Sequence, residues 1–405
     1  MKVVIVTTGQ PSTNPRMMKE VDALIAEGYS VKVLYSFWAE WAHQTDKKLI
    51  DDYPAGTFCE IGGNPFNAKV KYYVSRVIYK IIKSLSSMVN DLNDYSLART
   101  SYMLVNEAIK QKANIYIAHT LGALPAAVKA ATHNKVACGF DAEDYHSGES
   151  ATPSSQRTKD IQSKYFSRLR YLTVASPLIG EAYRKDFPFV DPILINNVFS
   201  KKYLLPDLKL YVSGDTLKIF WFSQTIDKGR GIEDIIYAMG KLHSQKIKFT
   251  LLGSCKEEMR HHILKVATEN NLRLDQIIFL DPVDPAEIFK IAVDHHIGMA
   301  TEPGFDENNR RALSNKIFTY LLSGLAVVAS DTPAQSQFLK EYPSIGKIYK
   351  TGNADGLANI FLHFIENSNE MNVCRQNAIE VADKHLNWEN ESKKFVSVIK
   401  RILDN

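Results

Sequence analysis

Cysteine is scarce and scattered in this chain. Cys59, Cys138, Cys255 and Cys374 are the four among 405 residues, and no Cys or His spacing suits a zinc site or a disulfide framework. Reduced thiols, as in the cytoplasm, are expected. Long apolar runs are missing too. None reaches the ~18 residues that a membrane-crossing helix needs, so any membrane contact is expected to be peripheral. The formal net charge of +4 is too small for a general nucleic-acid footprint, which excludes nucleic acid from the expected partners. The opening residues Met1 to Val6 read as a strand and lack the charged, apolar and cleavage regions of a signal peptide, so export is not expected. After that strand there is no G-x-G-x-x-G loop, which argues against a dehydrogenase. No paired-carboxylate metal motif stands out.

What the sequence does contain is alternation. Its 45% hydrophobic and 23% charged residues are those of an ordinary globular protein, long enough for two cores. Short apolar runs alternate with segments of helical period, the α/β pattern of parallel sheets covered by helices. Strands are expected near 3–7, 30–35, 115–118, 136–139, 172–175 and 193–195. A second series is expected near 217–222, 249–252, 277–280, 297–300, 326–329 and 345–349. The periodicity fades between the two series. This places a first domain at 1–198, a linker at 199–216, a second domain at 217–386 and a terminal helix at 387–405. Asn14 and Pro15 before Met17, Val21, Leu24 and Ile25 form a capped helix start with an apolar stripe, and Gly28 would end that helix.

Polar loops fall at the strand ends, where open α/β sheets bind ligands. The first runs from Thr7 to Arg16. In it Gly9 allows close approach to the backbone, and Arg16 either faces the ligand or is a plain surface residue. His119 stands at a strand tip, a position that points into the crevice. Asp141, Glu143, Asp144 and Glu149 cluster with His146 after the next strand. Such acids can bind hydroxyls or act as a base, hold magnesium, or simply solvate a helix start. In the second half Lys228, Gly229, Arg230 and Gly231 put cations beside free backbone N–H groups, which suits a diphosphate leaving group on which charge accumulates. Asn315 and Lys316 open a helix whose N–H groups would also suit a phosphate. Gly324 stops that helix before the apolar run from Leu325 to Ala329.

The segment 66–89 breaks the alternation. Val70, Val74, Val77, Ile78, Ile81, Ile82 and Leu85 follow helical spacing among Lys69, Lys71, Arg76, Lys80 and Lys83, with no acid before Asp91. Two readings stand: a core helix with a solvated lysine face, or a basic amphipathic helix lying on an anionic membrane.

The stretch from Ser314 to Pro333, with its Asn-Lys helix start, glycine stop and buried strand, resembles the donor-binding segment of GT-B glycosyltransferases. It is most similar to the family-4-like group of retaining sugar transferases, as a divergent member. The resemblance implies two Rossmann-like domains facing across a cleft, with the terminal helix crossing back to the first. It implies transfer of a sugar from a nucleotide-diphosphate sugar to a hydroxyl of a growing glycan or a lipid-linked acceptor, on the cytoplasmic side. Gly9, Asn14 and Arg16 then belong to the acceptor-side loop, and His119, Asp141, Glu143 and Asp144 to the transfer site. Gln224, Lys228, Arg230, Asn315, Lys316 and Thr319 would hold the donor. Cationic side chains would stand in for a metal, so no cofactor is expected beyond the nucleotide sugar. The chain departs from the family at three places. Thr120 replaces the acid that usually follows the histidine. Gln224 replaces an arginine, and Thr319 a glutamate that holds the ribose, with Arg311 where that glutamate's partner is expected. The alternatives are a nucleotide-sugar epimerase of the same fold and a catalytically silent nucleotide-sugar or glycan binder.

Overall fold

A computed structural model describes residues 1–86, 88–149, 154–205, 208–243 and 246–404. By internal contacts the chain forms two units, Met1–Ile195 with Ser392–Asn405, and Asn196–Glu391.

The first unit holds a seven-stranded parallel sheet of β1 (Lys2–Thr7), β2 (Ser30–Ser36), β3 (Phe58–Ile61), β4 (Ile115–His119), β5 (Ala137–Ala142), β6 (Tyr171–Val174) and β7 (Pro192–Leu194). The order is β3-β2-β1-β4-β5-β6-β7, so the direction of strand addition reverses between β1 and β4. Its helices are α1 (Pro15–Ala26), α2 (Ala42–Asp51), α3 (Lys69–Leu85), α4 (Ser101–Lys110), α5 (Leu124–Asn134), α6 (Ser154–Phe166) and α7 (Pro177–Asp186). The central strands are β-branched and apolar on both faces, as a sheet sandwiched by helices requires; Val3 to Val6 and Ile115 to Ala118 are fully buried. Asn14 caps α1 by accepting from the Met17 N–H at 2.9 Å, and Gly28 follows that helix with φ +80°.

The second unit repeats the plan with β8 (Leu217–Ile226), β9 (Ile247–Cys255), β10 (Ile277–Leu280), β11 (Ile297–Ala300), β12 (Ala326–Ser330) and β13 (Gly346–Tyr349). These are ordered β10-β9-β8-β11-β12-β13. Between them run α8 (Ile232–Leu242), α9 (Glu257–Glu269), α10 (Pro285–Ala292), α11 (Glu307–Arg311), α12 (Asn315–Leu322) and α13 (Pro333–Glu341). Helices α14 (Ala354–Glu366), α15 (Ser368–Lys384) and α16 (Trp388–Leu403) follow. The sheet divides two apolar layers by the period of its pleat. Ala326 and Val328 of β12 enter one layer with Trp221 and Ile235, while Val327 and Ala329 enter the other with Phe220 and Ile317. Among the described residues no helix is long and apolar enough to cross a membrane.

Four local differences from the sequence expectations matter. β3 was not expected: it is a four-residue edge strand pairing with β2, too short and mixed in Phe-Cys-Glu-Ile to stand out. β5 extends to Ala142, because it keeps pairing with β4 and β6 as far as Asp141 and Ala142; Asp141 therefore lies on the strand and not past it. β8 resumes pairing with β9 after an irregularity between Phe222 and Thr225, so Gln224 also lies on a strand. The segment 199–216, of which 206–207 fall outside the described residues, belongs to the second unit and is no free linker. Tyr211 is buried in its core and exchanges two 2.9 Å hydrogen bonds with Asn372.

Gly298 on β11 lies under the ring of Tyr320, and a Cβ there would come within 2.2 Å of it. The ring is fixed by its hydroxyl, which donates to the Met299 carbonyl at 2.8 Å. Gly298→Ala should therefore cost about 1–3 kcal/mol by overpacking, read as a lowered urea midpoint. An unchanged midpoint would contradict this packing.

Candidate active site

In the first unit the chain leaves β1 and β4 at the strand-order reversal, where doubly wound sheets open a crevice. Thr8 and Thr120, the residues after those two strands, meet through their hydroxyls at 2.7 Å. Thr120 holds φ 74° and ψ 145°, a conformation that a β-branched residue adopts only under constraint and that concentrates at functional sites. A cavity of about 850 Å³ opens here. Gly9, Asn14 and Glu143 line it, together with Arg76, Lys80 and Lys83 from α3. The loop after β1 thus reaches an open site through Gly9 and Asn14.

Arg16, His119 and Asp141 take a different place. In β1, β4, β5 and β6 the residues Thr7, His119, Asp141 and Thr173 stand in one register row. On α1, Arg16 and Glu20 are four residues apart and share a face. The Arg16 Nε and Nη2 donate to the two oxygens of Asp141 at 2.6 and 2.8 Å, and Nη1 donates to the Ile195 carbonyl at 2.6 Å. Thr173 donates to Asp141 at 2.7 Å. His119 places Nε2 at 2.9 Å from Glu20 and Nδ1 at 3.4 Å from Asp141. Arg16, Glu20, His119 and Asp141 are each at most 2% exposed. This corrects the expectation that Arg16 faces a ligand or solvent and that His119 and Asp141 touch substrate. A strand tip points toward the crevice, but here helix α1 packs across it and its charged residues fill the space.

Burial opposes every charge in this group, and the partners decide the outcome. Burial would raise the Asp141 pKa, but Arg16 and then His119 bring it below the usual carboxylate range. Burial would lower the His119 pKa, but Glu20 raises it. Glu20 itself is raised, chiefly by burial, so both partners of this pair shift upward. Glu20, His119 and Asp141 carry ligand atoms within 4.8 Å of one another, close enough for a metal ion. The fit is poor: both Asp141 oxygens already accept from a guanidinium, and a divalent cation would sit against that positive charge.

Of the acids at the end of β5 and after it, Glu143 is the one that borders the cavity. It is half-buried and lines the cavity, and burial, then Asp144, pushes its pKa up to about 7. Asp144 is also half-buried, and its carbonyl accepts from the Tyr183 hydroxyl at 2.8 Å.

In the second unit the same reversal occurs between β8 and β11, and three segments converge there. The Arg230 carbonyl accepts from Thr301 Oγ1 at 2.6 Å. This approach requires Gly231, whose added Cβ would lie 2.7 Å from both Thr301 Cβ and the Thr301 carbonyl oxygen. The neighbouring Glu302 accepts from Ser314 Oγ at 2.8 Å and from Lys316 Nζ at 2.7 Å. Burial alone would raise the Glu302 pKa, but Lys316 and Ser314, with Arg230 adding to them, hold it at about 2. Glu302 thus anchors the start of α12 to the end of β11. Gln224, Lys228, Arg230 and Asn315 are exposed, and neither Lys228 nor Arg230 forms a side-chain ion pair among the described residues. Thr319 is only 2% exposed, packed one turn inside α12, so it offers a ligand little surface.

Glu20 and Glu302 were not singled out from sequence. A signal for Glu20 existed: Arg16 and Glu20 fall among the apolar positions of an amphipathic helix. Glu302 directly follows a strand at the reversal, a place where a lone acid is notable.

No protein-family model matches the chain, and no curated protein matches it in sequence. Solved structures do match in three dimensions. HepE from Anabaena, solved with UDP and glucose, superposes with a TM-score of 0.71 at 14% identity over 99% of this chain and 100% of that one. A glycosyltransferase from Rickettsia africae gives 0.67 at 12% identity over 100% and 99%. A sucrose-phosphate synthase from Thermosynechococcus elongatus gives 0.68 at 13% over 100% of both. The chain has the GT-B fold.

The buried cluster makes a direct prediction. Arg16→Ala would leave Asp141 and Glu20 buried without their permanent cation, costing about 3–5 kcal/mol in urea unfolding. A cost below about 1 kcal/mol, as for a surface pair, would refute the arrangement.

Proposed function

We propose that this chain is a glycosyltransferase that takes a sugar from a nucleotide-diphosphate donor and passes it, with retention, to a hydroxyl of a glycan or lipid-linked acceptor on the cytoplasmic side. The convergence at Glu302 carries this reading. It sets Lys228, Arg230 and the start of α12 around one strand-order reversal, where neither Lys228 nor Arg230 forms a side-chain ion pair among the described residues. A diphosphate gains negative charge as the sugar C1–O bond breaks, and fixed cations stabilise it most where they need no reorganisation. Structural neighbours crystallised with UDP and with UDP-glucose support a uridine nucleotide as the first donor to test.

In this reading the acceptor hydroxyl oxygen bonds to C1, the nucleoside diphosphate leaves with the electron pair of the broken bond, and Glu143 takes the hydroxyl proton. A carboxylate with a pKa of about 7 is well matched to that task near neutrality. Lys228 and Arg230 supply the positive charge that a metal would otherwise bring.

A silent binding partner is the second reading, favoured by Gln224 standing exposed on β8 without a positive charge. Donor binding with no turnover on any acceptor would select it. Isomerised donor without acceptor would instead select the epimerase.

Four outcomes are expected. UDP-glucose should raise the melting temperature, since a ligand specific to the folded state stabilises it. Arg230→Ala should weaken that binding roughly 10–100-fold, the loss of a hydrogen bond to a charged group, and an undiminished shift would remove Arg230 from the site. Transfer should persist in EDTA; rescue only by added manganese would refute metal independence. The rate should rise with pH through about 7 as Glu143 loses its proton, and Glu143→Gln should abolish that limb. A pH profile shared by wild type and variant would exclude Glu143 as the base.

A further inference from the structure

Helix α3 is not a core helix. Of its 17 residues only Ser75 is buried. Val70, Val74, Val77, Ile81 and Leu85 recur at three- and four-residue spacing along one face, and each is between 43% and 81% exposed. Met88 and Val89 continue the exposed apolar surface just beyond the helix. This face is unusual for a helix so firmly fixed. Ser75 donates to the Gly62 carbonyl at 3.1 Å, and Arg99 donates to the Gly62 and Phe37 carbonyls at 2.8 Å each while stacking on Tyr72. The neighbouring face of α3 is cationic and lines the cavity through Arg76, Lys80 and Lys83. No acid occurs anywhere in 66–89.

An apolar stripe bordered by lysines and arginines, with no acid, complements one surface: apolar chains under negatively charged headgroups. Valine, isoleucine and leucine would enter the acyl boundary, and the long basic side chains would extend beside them to the headgroup level. Because the cavity is lined by the adjacent face of the same helix, its cations would lie at that level as well. We propose that α3 seats the first unit on an anionic bilayer, so that an amphiphile with an anionic headgroup enters the cavity directly from the lipid surface. The second half of this statement rests on the transferase reading, because it makes that amphiphile the acceptor; the bilayer contact does not.

Co-sedimentation of the full chain with vesicles of phosphatidylcholine, with and without phosphatidylglycerol, tests the proposal. The chain should pellet with the anionic vesicles and far less with neutral ones, and added salt should release part of it. Val77→Glu with Ile81→Glu, both at exposed positions outside the cavity, should weaken vesicle binding roughly tenfold or more. The variant should keep the melting temperature and the UDP-glucose shift of the wild type, showing that its fold is intact. Absence of pelleting at low salt, or pelleting that the double variant leaves unchanged, overturns the proposal. So does a dimer in sedimentation velocity that the double variant dissociates while vesicles capture nothing, since a second copy would then cover the face. A missing UDP-glucose shift in the wild type would count against the transferase reading and leave the bilayer contact standing.

Discussion

The first unit depends on the paired hydrogen bonds between Arg16 and Asp141. They join the first turns of α1 to β5, two elements separated by 125 positions in sequence, and both partners are buried. A buried ion pair seldom gains much over an apolar contact, because desolvation offsets the attraction. What it supplies here is position. The planar guanidinium matches the carboxylate in a two-point alignment, and the same carboxylate accepts from Thr173 and lies beside His119. The loop from Thr8 to Asn14 lies between β1 and α1, so the cavity wall is set by a pair that never meets the ligand.

The second unit places an ion pair at the equivalent reversal and uses it differently. Glu302 pairs with Lys316, and the low pKa of the glutamate keeps it charged across the whole physiological range. Here the anchor is an acid, while Arg230 and Lys228 project into solvent. At its reversal the first unit consumes Arg16 internally, whereas the second leaves Lys228 and Arg230 exposed. This contrast follows from sequence: Arg16 sits inside an apolar stripe, whereas Lys228 and Arg230 alternate with Gly229 and Gly231 in a loop. It gives a physical reason for assigning a diphosphate to the second unit.

Much of the architecture was legible because parallel strands packed under helices carry short apolar runs, and twelve of the thirteen strands among the described residues fall on such runs. β3 did not, since its four residues Phe-Cys-Glu-Ile are too few and too mixed to form one. Strand ends were harder. Whether Asp141 terminates a strand or begins a loop depends on pairing with β4 and β6, which no local pattern encodes, and that single difference moved it from an open site to a buried one. Among the candidates named from sequence, Lys228 and Arg230 are exposed on a loop that carries Gly229 and Gly231, and the half-buried Glu143 lines the cavity. Glu20 and Glu302, which were not singled out, take their roles from partners on other elements, His119 on β4 and Lys316 on α12. Helix α3 showed the reverse problem: its period was plain, but amphipathicity alone does not say whether an apolar face turns inward.

The central claim is that a nucleoside diphosphate binds at the β8–β11 reversal through the Lys228–Arg230 turn and the start of α12. Hydrogen–deuterium exchange on the full chain with and without UDP tests it most directly, because the backbone amides at a helix start would become ligand donors. The account predicts slowed exchange confined to peptides covering 228–232 and 314–318. Slowing confined to 8–16 and 119–144 instead, or no slowing at a saturating nucleotide concentration, would contradict it.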